Sequence, residues 1–175
     1  AEYKNGIMLF DLMDKKVWSK ATSDTTGLKN YYEKHQSKYQ WQPGFEGTVY
    51  LSLNETDLSK VREYLSQGME VQAAFDKVDN GNHKIAISQN TGRFEFGKFP
   101  LKPSDFTEGK PTKIFQNEDK SSGFVFVNKL HPQTEIKTME DARGFVVADY
   151  QDYLEQEWNN SLQAKYPVSI KEKVL

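Results

Sequence analysis

The stretch that most restricts how this chain can fold lies near its end, TMEDARGFVVADYQDYLEQEWNNSLQAKY, residues 138–166. Ala142, Val146, Tyr150, Tyr153, Leu154, Trp158 and Leu162 recur at three- and four-residue steps, which places them on one stripe of an α-helix. Thr138 with Asp141 resembles a capping box, with Asp in place of the usual Glu or Gln. Pro167 follows where the helix has to stop. Gly144 weakens the first turns by about 1 kcal/mol relative to Ala. A stripe carrying three aromatic rings needs cover, and on this reading Trp158→Ala costs about 3–5 kcal/mol.

Two helices at the start of the chain can supply that cover. Residues 2 to about 20 place Ile7, Phe10, Met13, Val17 and Trp18 near one face, with Asp11, Asp14, Lys15 and Lys16 in water. Asp24 or Thr25 can cap a second helix through about residue 39, with Leu28, Tyr31, Tyr32 and His35 as a partly aromatic face. From Trp41 the pattern changes. GTVYLSL alternates like a strand, with Val49, Leu51 and Leu53 on one side. Asn54 to Asp57 offers caps for a helix from about residue 57 to 67, with Leu58, Val61 and Leu65 inward and Gly68 as its stop. VQAAFDKV predicts a short helix, and Asp79-Asn80-Gly81-Asn82 a turn. KIAIS, the alternating GRFEFGKF and GFVFVNKL predict strands, with Pro100, Pro103 and Pro111 in a loop between the last two. The expected architecture is α+β. Terminal helices (1–42 and 133–175) pack together as one module, and an α/β block (43–132) is inserted between them.

Composition excludes more than it identifies. A net charge of −2 leaves no basic stripe for nucleic acid. No apolar run approaches the ~20 residues of a membrane span. With no cysteine there is no disulfide, no thiolate chemistry and no ordinary structural zinc site. His35, His83 and His131 are far apart and share no metal-ligand spacing, so they read as surface or partly packed residues. No nucleophile elbow, zinc-protease or phosphate-loop motif is present, and no small-molecule cofactor is implied. Asn54-Glu55-Thr56 and Asn159-Asn160-Ser161 match the short glycosylation pattern. The chain opens directly into helix without a cap or an apolar leader, from which we expect it to be cut from a longer protein. The remaining signal is the density of phenylalanine from Phe94 to Phe126. Alternation makes most of these rings core, while any exposed ones would form an apolar cleft for extended peptide, with Phe94, Phe96, Phe99 and Phe124 as the candidates.

PTKIFQNEDKSSGFVFVNKLHPQTEIKTMEDARGFVVADYQDYLEQEWNNSLQAKYPVSI resembles the end of a parvulin domain and the helix that follows it in SurA-type and PpiD-type envelope foldases. EYKNGIMLFDLMDKKVWSKA and GLKNYYEKHQSKYQW resemble the helical chaperone part of such proteins, particularly those of Bacteroidetes. The resemblance implies a periplasmic peptidyl-prolyl isomerase or chaperone as the parent protein, with unfolded envelope polypeptides as partners. It also implies missing catalytic residues. Val125, in Gly123-Phe124-Val125, stands where the family's "GYH" strand has histidine. The candidate first strand, residues 47–51, has no histidine either, and only Gly92 to Gly97 remains of the glycine-rich loop. Three readings follow: a non-catalytic holding segment with a degenerate parvulin-like block, an active isomerase with a different pocket, or a purely structural interaction module. A proline-peptide isomerisation assay separates the first two.

Overall fold

In a computed structural model that describes residues 2–79, 81 and 84–166, the chain is an α+β protein of two compact units. One is helical and is built from both ends of the chain, residues 1–40 and 136–175. The other, residues 41–135, is built on a sheet. Asn80, Asn82, His83 and Pro167 lie outside the described residues.

The helical unit begins with α1 (Glu2–Met13), which runs through a π-helical turn (Asp14–Trp18) into α2 (Ser19–Ser23). Asp24 then caps α3 (Thr25–His35) by accepting from the Gly27 amide at 2.8 Å. The same carboxylate accepts from the Tyr150 hydroxyl at 3.1 Å, so one side chain both starts α3 and ties it to the last helix. A Cβ at Gly27 would overlap the Tyr150 hydroxyl and the Asp24 carboxylate, so any other residue in this turn would displace the bond between them. The last helix, α6 (Met139–Lys165), starts on Thr138, whose hydroxyl accepts from the Asp141 amide and donates to its carboxylate. Ala21, Leu28, Tyr31, Tyr39, Ala142, Val146 and Tyr150 form the buried core between α2, α3 and α6.

The expected stripe on α6 holds for its first three turns and then emerges. Ala142, Val146 and Tyr150 are buried, but Tyr153 and Leu162 are exposed and Trp158 only half-buried. Length explains this. The 27 residues of α6 span about 40 Å and the 11 of α3 about 16 Å, so the shorter helix cannot cover the longer one. Among the described residues Trp158 joins no buried cluster. We therefore expect Trp158→Ala to cost about 1–2 kcal/mol instead of 3–5, as read by urea denaturation. The first helix needs the same correction. Val17 is buried, whereas Ile7 and Phe10, expected to face inward, are 55% and 64% exposed. The helices that cover this unit's core pack on α2 and the π turn, and α1 lies beyond them.

In the other unit, strands β2 (Gly44–Ser52), β3 (Ser88–Glu95), β4 (Phe115–Gln116) and β5 (Ser122–His131) form an antiparallel sheet in the order β3-β2-β5-β4. Gln40–Trp41 (β1) and Glu135–Ile136 (β6) pair separately. Being central, β2 and β5 are covered on both faces. Along β5, Phe124 and Phe126 pack on one side while Val125 and Val127 pack on the other. Helices α4 (Glu55–Ser66) and α5 (Val71–Val78) cover the Phe124 face through Leu58, Val61, Leu65, Ala74 and Val78. Asn54 caps α4, accepting from the Thr56 and Asp57 amides, and Gly68 ends it at φ +82°. Residues 84–87 are not the strand that KIAIS suggests. Ile85 and Ile87 turn inward onto the α4–α5 cluster, which produces the alternation without a ladder. Leu53 lies past the end of β2 and is exposed.

Candidate functional site

Phe45 sits at the centre of the second sheet face, fully buried. Its ring stacks on Phe106 at 4.8 Å between centroids and meets Phe99 at 5.5 Å, Phe94 at 5.6 Å and Phe96 at 6.0 Å. The chain brings these rings together by leaving the sheet after Glu95. A 3-10 turn (Phe96–Lys98) and another at Pro103–Asp105 fold residues 96–106 back over β2 and β5. Gly44 permits the approach of β3, since a Cβ there would overlap the Phe94 carbonyl oxygen. Gly47 does the same toward the Phe126 carbonyl, at a break in register between β2 and β5.

Phe94, Phe96 and Phe99 therefore lie together, each half-buried, on this one face. Phe124 does not join them. It is fully buried on the opposite face, stacked on Tyr50 at 4.8 Å, because β5 turns Phe124 and Val125 to opposite sides. A peptide on the Phe94 face has no access to it. The two strands named by the resemblance are direct neighbours, and Val125 stands opposite Val49 in register. Both are buried beneath the phenylalanine cluster.

Two polar features were not legible in sequence. His131 is buried, with Nδ1 2.9 Å from Glu135 Oε1 and Nε2 2.7 Å from Glu46 Oε1. Arg93 donates to the other oxygen of Glu135 at 3.0 Å while its guanidinium lies over the Trp41 ring. These donors, His131 first and Arg93 second, hold the Glu135 carboxyl below its usual range. The partners come from three separate stretches of chain, around 41–46, at 93 and at 131–135, so no single local pattern announces the network. Beside the end of β2 an open groove of about 590 Å³ is lined by Leu51, Leu53, Ala86 and Ile87, with Asp119 and Ser121 on its rim. Hydrogen bonds from the Ser121 hydroxyl and amide hold the Asp119 carboxyl low.

Among the described residues no cluster of three His, Cys, Asp or Glu side chains could hold a metal ion, and no helix is long and apolar enough to cross a membrane. On the helical unit, α1 leaves Tyr3, Ile7, Met8, Leu9, Phe10 and Leu12 exposed around the helix.

No family model matches the sequence, and no curated protein matches it. Two solved chains are similar in structure, both described with the virulence factor PEB4 and the periplasmic protein Cj1289, SurA-like chaperones of Campylobacter jejuni. One is 13% identical with a TM-score of 0.30, over 94% of this chain and 62% of that one. The other is 12% identical with a TM-score of 0.37, over 98% of this chain and 72% of that one.

Proposed function

We propose that the chain is the C-terminal part of a periplasmic folding factor of the SurA type, which holds unfolded envelope polypeptides and does not isomerise their prolines. The observation that carries this reading is α1, where large apolar side chains stand in water on more than one side of the helix, Tyr3, Ile7 and Phe10 on one and Met8 and Leu12 on another. Soluble domains rarely expose such patches without using them. An exposed helix surface offers burial without a shape requirement, which suits weak and sequence-tolerant holding of extended chains. Phe94, Phe96 and Phe99, with their ring edges half open, form a second apolar surface for the same clients.

The inserted block, residues 43–132, serves on this reading as a degenerate parvulin-like scaffold. Twisting an amide past its ~18–20 kcal/mol barrier calls for polar groups placed around the bond. Where the resemblance expects histidine, Val125 faces Val49, and Phe45 and Phe106 fill the same face. The chain should therefore leave a proline peptide isomerising at its background rate in a protease-coupled assay. Acceleration like that of an ordinary parvulin would overturn this part of the proposal.

Holding is tested by aggregation of a chemically unfolded client. The chain should suppress it in proportion to its concentration, and Ile7→Ser with Phe10→Ser should weaken suppression several-fold without changing the melting temperature. Exposed residues contribute little to folding, so loss of function and loss of structure separate here. No suppression by the unaltered chain, or equal suppression by the double variant, would sink the proposal.

A further inference from the structure

We propose that a pocket on the helical unit, between the end of α3 and the middle of α6, binds the guanidinium group of arginine. It has a volume of about 370 Å³ and is lined by Tyr31, His35, Lys38, Asp149, Asp152, Tyr153 and Gln156. That size falls in the range of small-ligand sites.

Three observations converge on a flat cation. The wall is aromatic. Tyr31 lies 5.5 Å from both Tyr150 and Tyr153, which stack at 6.0 Å, and the His35 imidazole stacks on Tyr31 at 4.2 Å. Ring faces of this kind attract a delocalised cation. The rim carries two carboxylates. Asp149 spends one oxygen on the Tyr39 hydroxyl at 2.7 Å and keeps the other, while Asp152 is exposed and makes no ion pair or hydrogen bond with a described residue. Finally, Tyr31 is only 9% exposed, yet its hydroxyl makes no hydrogen bond to a described residue. Asp149 and Asp152 line the same pocket as this phenol. The ring is buried while the hydroxyl reaches solvent, so it is free to accept from a ligand N–H.

Guanidinium meets these features together. It is planar, stacks on aromatic rings and presents a fork of donors to carboxylates, whereas an ammonium is a compact, strongly hydrated charge. Lys38 and His35 are the cationic or titratable groups that oppose it. Lys38 is exposed on the rim, and His35 is tied through Nδ1 to the Tyr31 carbonyl at 2.7 Å. The inference rests on this pocket alone and not on the holding role.

The test titrates the full chain, followed by NMR, with N-acetyl-arginine amide, its lysine counterpart and the neutral isostere N-acetyl-citrulline amide. The arginine compound should shift resonances of α3 and α6 saturably, the lysine compound more weakly and the citrulline compound not at all. Asp152→Asn should weaken arginine binding about tenfold, and Tyr31→Phe should weaken it less while leaving the stack intact. A parallel arm compares an unfolded peptide carrying one arginine with the same peptide carrying citrulline. Tighter binding of the arginine peptide than of the free amide makes polypeptide the source, and the reverse makes it a small free cation. Equal responses to arginine, lysine and citrulline, or an unchanged affinity in Asp152→Asn, would overturn the assignment. Because neither the sheet unit nor α1 enters the measurement, its failure is distinct from failure of the holding assay.

Discussion

Replacing Phe45 with alanine is expected to destabilise the sheet unit by about 3–5 kcal/mol. The ring is fully buried, and its faces and edges meet Phe94, Phe96, Phe99 and Phe106 at 4.8 to 6.0 Å. Each such aromatic pair adds about 0.5–1.5 kcal/mol beyond area burial. The void could close only if residues 96–106 moved inward, and their path is fixed by two 3-10 turns and by Gly44 against the Phe94 carbonyl. Against a typical total of ~5–15 kcal/mol, this loss should populate an unfolded sheet unit at moderate urea. Limited proteolysis should then cut first within residues 41–135. Phe94→Ala, at a half-buried position on the same face, should cost about half as much. Equal costs at the two positions would mean that the cluster is a surface patch and not a core.

Helices declared themselves in the sequence where side-chain spacing and capping chemistry agreed. Asp24 ahead of Gly27, Asn54 ahead of Asp57 and Thr138 ahead of Asp141 all cap as their spacing implies, and Leu58, Val61 and Leu65 all face the core. The readings that failed concern how far a face is covered, because periodicity identifies a stripe without measuring its partner. Hence Ile7, Phe10 and Tyr153 stand in water although they lie on well-formed apolar stripes. KIAIS failed differently, since alternation records an inward-facing side and not a hydrogen-bonded ladder. For the candidate site, Phe94, Phe96 and Phe99 could be grouped by nearness in sequence. Phe124 was grouped with them only because residue type says nothing about which face of a strand it takes. The Tyr31 pocket joins residues more than a hundred positions apart, and only the packing of α3 against α6 creates it.

The same packing makes the helical unit sensitive to alkali. Burial, and then a hydrogen bond to Asp24, pushes the Tyr150 phenol up to about 12 from its ordinary 10.0. Tyr39 is raised further, by burial and then by its bond to Asp149, and Tyr31 is raised by burial and then by Asp149 and Asp152. A phenol whose folded value exceeds its unfolded value favours the folded state below the unfolded value. That contribution is lost as pH rises through the interval between them. For Tyr150 the interval runs from 10.0 to about 12 and corresponds to roughly 2–3 kcal/mol. The helical unit should therefore be stable at neutral pH and lose helicity from about pH 10 upward, with the delayed phenols ionising as it opens. Tyr150→Phe removes one delayed phenol and the bond to Asp24. It should lower stability at neutral pH by about 1 kcal/mol and shift the alkaline transition upward, as seen by circular dichroism alongside phenolate absorbance. If every tyrosine ionised near its ordinary value with helicity unchanged, α3 and α6 could not be packed through these rings.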